Sequence, residues 1–185
     1  MKMNLPNLLT LNRILLIPIA IVCYYLPFTW AHPLAAVIAL FIGLSDFLDG
    51  YFARRLNQST RFGAFLDPVA DKLSVVAGLI LVTGEYHMVW LTLFSMVIII
   101  REVVISALRE WMASVGSRSS VKVLYIGKVK TTLQGIALVV LLWYNPLSPS
   151  WLFDVGLVAL GAAVLLTIWS MVVYLKGAWA EICRD

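Results

Sequence analysis

Six long apolar stretches cover most of the chain and restrict its fold more than any other feature. They run roughly over residues 8–28, 33–55, 63–83, 88–108, 124–144 and 151–175, and each approaches the ~20 residues that a helix needs to cross a bilayer. Hydrophobic residues make up 62% of the chain, well above the roughly 45–50% of soluble domains. The sequence therefore predicts an all-α membrane protein with six transmembrane helices, forming a single domain over residues 1–185.

Basic residues lie on one side of the predicted bundle. The connections at 29–32, 84–87 and 145–150 contain no Lys or Arg, and all 14 basic residues fall toward the opposite ends of the stretches. The positive-inside rule then predicts that both termini are cytoplasmic. A net charge of +4 follows from this topology and from the attraction of basic residues to anionic lipids, so it does not favour a nucleic-acid partner.

Four aspartates interrupt the apolar pattern where the second stretch ends and the third begins. Asp46 and Asp49 are three residues apart and Asp67 and Asp71 four apart, so each pair shares one face of its helix. Because a short loop joins these antiparallel helices, we expect the carboxylates to converge in a polar cavity near the cytoplasmic face. Carboxylate oxygens suit Mg²⁺ or Mn²⁺ rather than zinc, and a cation would offset the cost of charges inside a membrane.

Two alternatives for these aspartates are ion pairs with neighbouring basic side chains and a cation path in a small transporter. Neither requires the other residues of the string DFLDGYFARRLNQSTRFGAFLDPVAD. Gly50, Ala53 and Gly63 would let a ligand approach the backbone closely, and Arg54 is placed to meet a phosphate. The full spacing therefore favours a metal-dependent site for phosphate chemistry.

The same string resembles the signature of the CDP-alcohol phosphotransferases, membrane enzymes with six helices that transfer a phosphatidyl group from a CDP-linked lipid to an alcohol and release CMP. Three further segments, LPNLLTLNR, REVVISALREWMA and IGKVKTTLQ, resemble the branch that makes phosphatidylglycerophosphate. The resemblance implies CDP-diacylglycerol and glycerol 3-phosphate as substrates and a bacterial inner membrane as location. It also implies a homodimer, in which the small residues Gly161, Ala162 and Ala163 would permit close helix contact.

The resemblance also implies roles for individual residues. Two Mg²⁺ ions, with Mn²⁺ as the alternative, would bridge Asp46, Asp49, Asp67 and Asp71, and Asp71 would be the general base that deprotonates the acceptor hydroxyl. The nucleotide and CDP-lipid slot would be lined by Asn7, Thr10, Asp49, Gly50, Ala53, Arg54 and Gly63.

The acceptor side needs cations, because glycerol 3-phosphate is a dianion. The candidates for binding its phosphate are Arg101, Arg109, Lys128 and Lys130. Arg101 lies in an apolar run, where a charge requires a partner or a cavity, and Glu102 could orient it. Arg109 and Lys128, like Arg118 and Lys122, also fit an ordinary basic cytoplasmic surface, so serine, inositol, inositol phosphate or phosphatidylglycerol stay open as alternative acceptors.

Four other polar residues are not counted among the candidate site residues. Arg13 is expected to snorkel from the first helix to the lipid headgroups, with contact to the site as the alternative. Lys72, beside Asp71, is ambiguous in the same way. His32 and His87 lie in the outer connections, far from the aspartates, and are not expected to act as acid, base or ligand.

Overall fold

The computed structural model describes residues 5–56, 61–115, 125–145 and 148–182, with side chains at all of these except 5–7, 9, 47, 49–56, 61, 64, 125–126, 128 and 180–182. All regular secondary structure in this part of the chain is α-helical, as predicted. The helices are α1 (Leu5–Tyr24), α2 (Ala31–Leu56), α3 (Arg61–Tyr86), α4 (Val89–Ser114), α5 (Tyr125–Trp143) and α6 (Ser150–Ile182). Each predicted stretch corresponds to one helix.

The distribution of apolar and charged side chains is the reverse of that in a water-soluble protein. Val158 and Leu165 are 72% and 70% exposed, whereas Arg13 and Lys130 are each only 1% exposed. Large apolar side chains on the outside would be unfavourable in water, and a hydrocarbon surrounding removes that penalty. The chain is therefore a membrane protein, in which Arg13, Arg101 and Lys130 are buried between the helices.

Two helices are long and apolar enough to cross a bilayer by length and composition. They are α4, with a mean hydropathy of 2.1, and the Ser150–Trp179 part of α6, with 2.3. The apolar parts of three other helices are shorter: Thr10–Tyr24, Ala31–Asp46 and Val129–Trp143. Six spans therefore stay a prediction.

Helices α3 and α5 pack against each other and belong to two groups of four. In the first group, α1 packs on α2 and α3, and α2 packs on α3 and α5; in the second, α4 packs on α3 and α6, and α6 packs on α5. Within the described residues, α4 and α5 lie diagonally across the second group without packing directly on each other. Side chains of these two helices can therefore meet in its interior.

The pair α3 and α5 runs in the same direction. A Cβ atom added to Gly78 of α3 would lie 3.5 Å from a methyl group of Leu138 on α5. Near the far end of both helices, the Tyr86 hydroxyl donates to the carbonyl oxygens of Leu141 (3.1 Å) and Tyr144 (2.9 Å). These two contacts set the relative level of residues on the two helices.

The small residues of α6 are used inside the chain. A Cβ atom added to Gly161 would lie 3.4 Å from the ring of Phe94 on α4, and Ala163 is fully buried. The close helix contact that Gly161 permits is thus an α4–α6 contact within one chain. A contact between subunits does not need to be invoked to explain this glycine.

His32 has a structural role at the end of the bundle opposite the aspartates. Its ring stacks on Tyr24 with centroids 4.3 Å apart, and its Nδ1 lies 2.9 Å from the Tyr144 carbonyl oxygen. It precedes Asp46 by 14 residues of α2, which is about 21 Å along a helix. This position agrees with its exclusion from the predicted site.

Candidate active site

Arg13 of α1 joins two of the predicted metal ligands. Its Nη1 lies 2.9 Å from Oδ1 of Asp46 on α2, and the same Nη1 donates to Oδ1 of Asp71 on α3. The guanidinium is fully buried, whereas the two carboxylates are about half exposed, at 52% and 48%. One cation thus draws together carboxylates from two helices while leaving them open on another side.

The expectation that Arg13 snorkels to the lipid headgroups is wrong, and the alternative holds. A guanidinium inside a membrane protein is most stable when a carboxylate faces it, and Asp46 and Asp71 supply two. The sequence alone could not decide between the two, because the depth of Arg13 in the first helix is compatible with either.

Asp67, the third predicted metal ligand with a described side chain, also contacts α1. The hydroxyl of Thr10 donates to Asp67 Oδ1 at 2.6 Å, and Thr10 is 1% exposed. Gly63, one turn before Asp67 on α3, is also buried. The structure therefore brings Thr10 of the predicted nucleotide slot together with a predicted metal ligand.

The carboxylate cluster, defined here as Asp46, Asp67 and Asp71 with Arg13, carries excess negative charge. Electrostatic interactions link Asp71 to Asp46, Asp67 and Arg13, so three carboxylates share one positive group. An oxygen-only donor set with excess negative charge and an open side fits a hard divalent cation. Across the described side chains, no group of three or more Asp, Glu, His or Cys residues is arranged to hold a metal ion, and the fourth predicted ligand, Asp49, is not among those side chains.

Several predicted site residues lie outside the described side chains. They are Asn7 on α1, Asp49, Gly50, Ala53 and Arg54 on α2, and Lys128 on α5. Their roles stay predictions.

A second polar cluster, here named the cation cluster, consists of Arg101, Glu102, Lys130 and Ser170. Glu102 Oε1 accepts hydrogen bonds from Arg101 Nη1 at 2.7 Å and from Lys130 Nζ at 2.9 Å, and Arg101 Nη2 lies 3.4 Å from the Ser170 hydroxyl. Arg101 and Lys130 are 6% and 1% exposed. Two buried cations share one carboxylate, so the cluster has an excess positive charge.

The sequence anticipated part of this cluster. Arg101 and Lys130 were both expected at the acceptor side, and Glu102 was expected to orient Arg101, which it contacts. The Glu102–Lys130 bridge and the α6 residue Ser170 were missed, because they connect positions 28 and 69 residues apart in the chain. No local spacing reveals such pairs.

Arg109 does not join the buried pair. Its side chain is exposed, and its guanidinium carbon lies 5.5 Å from the ring centroid of Tyr174 on α6, within the range of a cation–π contact. Arg101 and Arg109 both contact α6, but of the two only Arg101 is buried. Arg109 lies further toward the end of α4, close enough to Lys130 for an electrostatic interaction.

The fold and the two clusters define a class of protein: a helical membrane protein that holds a carboxylate cluster and a cation cluster between adjacent helices. Buried charges of this kind mark functional sites in membrane proteins. A model of the CDP-alcohol phosphatidyltransferase family matches residues 3–169. The chain belongs to this family, which confirms the resemblance found in its sequence.

Relatives from enteric bacteria match almost the whole chain. The chain is 51% identical over 182 residues to a protein of Salmonella choleraesuis (strain SC-B67), 52% to one of Shigella flexneri serotype 5b (strain 8401) and 51% to one of Escherichia coli (strain K12). Each match covers 98% of this chain and 98% of the relative. All three relatives carry the name CDP-diacylglycerol--glycerol-3-phosphate 3-phosphatidyltransferase.

Proposed function

We propose that this chain transfers the phosphatidyl group of CDP-diacylglycerol to sn-glycerol 3-phosphate, giving phosphatidylglycerophosphate and CMP in phospholipid biosynthesis. The observation that carries the proposal is the 51–52% identity, over 98% of both chains, to proteins named for this reaction. The carboxylate cluster and the cation cluster supply the two kinds of charge that its substrates require.

The proposed metal ligands are Asp46, Asp49, Asp67 and Asp71. When bound there, two Mg²⁺ ions, or Mn²⁺ in their place, would neutralise the pyrophosphate and stabilise the leaving phosphate of CMP. Arg13 holds Asp46 and Asp71 in place from the buried side, and Thr10 does the same for Asp67. The half-exposed faces of these carboxylates are then available to ligands.

Asp71 is the proposed general base. It takes the proton of the acceptor's primary hydroxyl, whose oxygen forms a bond to the lipid-side phosphorus of CDP-diacylglycerol. The bond between that phosphorus and the bridging oxygen of the pyrophosphate breaks, and CMP leaves with the electron pair. A carboxylate held beside a site of this kind is suited to the role, because it lies within reach of the proton to be transferred.

The remaining candidate residues are divided between the nucleotide slot and the acceptor-phosphate site. Asn7, Thr10, Asp49, Gly50, Ala53, Arg54 and Gly63 are proposed to form the nucleotide slot. Arg101, Arg109, Lys128 and Lys130 are proposed to bind the acceptor phosphate. The excess positive charge of the cation cluster supports this assignment, since an anionic ligand would neutralise it.

The proposed setting is the inner membrane of a bacterium. The chain would form one domain of six membrane-spanning helices with both termini in the cytoplasm, and it would act as a homodimer. CDP-diacylglycerol would enter the polar cavity sideways from the bilayer, and glycerol 3-phosphate would enter from the cytoplasm.

The decisive experiment measures CMP release by the purified protein from CDP-diacylglycerol with Mg²⁺. Glycerol 3-phosphate, serine, inositol, inositol phosphate and phosphatidylglycerol are compared as acceptors, each with and without a chelator. Release with glycerol 3-phosphate alone that the chelator abolishes is the expected result. Release with another acceptor would keep the reaction class and overturn the acceptor, and no release with any acceptor would favour a cation transporter.

A further inference from the structure

Gln134 on α5 is a buried polar residue that the proposed mechanism does not use. Its side chain is 3% exposed, and its Oε1 has no hydrogen-bond partner within the described part of the chain. A buried acceptor without a donor destabilises a folded protein, because it has lost its hydrogen bonds to water. A ligand that brings a donor to this atom would remove that penalty.

The position of Gln134 on α5 directs it toward the proposed site. At 3.6 residues per turn, it lies about 40° around the helix from Lys130 and about 40° from Leu138. Lys130 reaches Glu102 of α4, and Leu138 contacts Gly78 of α3. Gln134 therefore faces the interior between α3 and α4, next to the cation cluster.

Gln134 also lies close to the level of Asp71. The two helices run in the same direction, with Leu138 beside Gly78. Gln134 precedes Leu138 by four residues and Asp71 precedes Gly78 by seven, so the two residues differ by only about 4.5 Å along the helix axes. A small acceptor bound to the cation cluster and reaching toward Asp71 would pass Gln134.

We propose that Gln134 Oε1 accepts a hydrogen bond from the secondary C2 hydroxyl of glycerol 3-phosphate and thereby selects for that hydroxyl. This inference rests on the proposed function. An unpartnered carbonyl oxygen needs an O–H or N–H donor. The phosphate dianion has none to offer, and the C1 hydroxyl gives its proton to Asp71, which leaves the C2 hydroxyl.

The test uses an acceptor that lacks only this hydroxyl, 1,3-propanediol monophosphate. CMP release is measured with each acceptor, and the discrimination ratio is kcat/KM for glycerol 3-phosphate divided by kcat/KM for the analogue. A satisfied buried hydrogen bond predicts a ratio of roughly 10 or more for the unaltered protein. A ratio near one would overturn the proposal without any variant.

The substitution Gln134→Leu removes the carbonyl oxygen. The ratio should then fall to within about twofold of one, because the variant loses rate with glycerol 3-phosphate and not with the analogue. A general loss of packing would lower both values and keep the ratio, which would overturn the proposal. Gln134→Met, similar in length to glutamine, provides a second variant if the first does not fold.

A packing control is available at the other end of α3. Thr83→Val removes a hydrogen bond to Ser95 and should keep the ratio of the unaltered protein. The failure of this inference is also separable from the failure of the proposed function. If the unaltered protein releases no CMP with glycerol 3-phosphate, the proposed function fails and this inference with it; if it does so without discrimination, only the inference fails.

Discussion

Replacing Arg13 by Met should destabilise the protein most when no divalent cation is present. Arg13 is fully buried and supplies the one described positive group that contacts Asp46 and Asp71. Met keeps much of the apolar stem and removes the charge. The two carboxylates would then face each other and Asp67 without a counter-charge.

The magnitude follows from the geometry. Two unit charges 4 Å apart interact by about 4 kcal/mol at an effective dielectric constant of 20. The carboxylates are about half exposed, so screening by water lowers the value, and we take about 2 kcal/mol for the two pairs together. For a chain of this length, that predicts a Tm lower by roughly 4–8 °C.

The assay is thermal unfolding of the purified protein in detergent, with EDTA and with Mg²⁺. In EDTA the Arg13→Met variant should show the full decrease in Tm. With Mg²⁺ the decrease should shrink, because a cation bound to the carboxylates replaces the missing charge and stabilises the folded state that binds it.

The matched control is Lys72→Met, which removes a positive charge from the residue after Asp71. Its side chain is partly exposed, and the described contacts include no ion pair for it, so its Tm should change by less than about 2 °C in either condition. Equal decreases for Arg13→Met with and without Mg²⁺ would refute the reasoning. They would mean that a bound cation does not replace the charge of Arg13.

Three further results are expected. Asp71→Asn should lower CMP release by at least ~100-fold, with a decrease in Tm no larger than that of Arg13→Met, because it removes one of the two Arg13 ion pairs. Substantial turnover would exclude Asp71 as the base. Glu102→Gln leaves Arg101 and Lys130 without their shared counter-ion, so the Tm of the variant should fall. Millimolar inorganic phosphate should restore much of this decrease in Tm. A variant whose Tm does not respond to phosphate would contradict an anion site. Gly161→Leu adds a side chain at a position where a Cβ atom would already lie 3.4 Å from the Phe94 ring. We expect the variant to be destabilised by about 1–3 kcal/mol in thermal unfolding. An unchanged Tm would show that α4 and α6 can move apart to accommodate the side chain.

Much of the fold could be predicted because membrane helices have a strong local signal. Each of the six apolar stretches became one helix, with differences confined to its ends, such as the continuation of α6 to Ile182. The charge distribution and the spacing of the aspartates are likewise local features. They predicted which helices carry polar residues and on which face.

Contacts between distant helices could not be predicted in the same way. Arg13 pairs with carboxylates 33 and 58 residues away, and its depth alone was compatible with either lipid headgroups or an interior partner. The choice depends on how closely α1 approaches α2 and α3, which is a property of the packed bundle. The Glu102–Lys130 bridge is a similar case. It joins α4 to α5 across the interior of a group of four helices, and the packing of that group cannot be predicted from any single segment.

The packing of α3 against α5 would allow two clusters of opposite charge to serve the proposed reaction. Asp67 and Asp71 lie on α3, and Lys130 lies on α5, so the helix pair carries residues of both clusters. Excess negative charge would repel an anionic acceptor, whereas excess positive charge would repel a divalent metal ion. Placing the two on neighbouring helices would let each proposed ligand bind at its own cluster. Gln134 lies one turn from Lys130 on α5 and near the level of Asp71, and its neutral amide would not favour one ligand over the other as a charged side chain of either sign would.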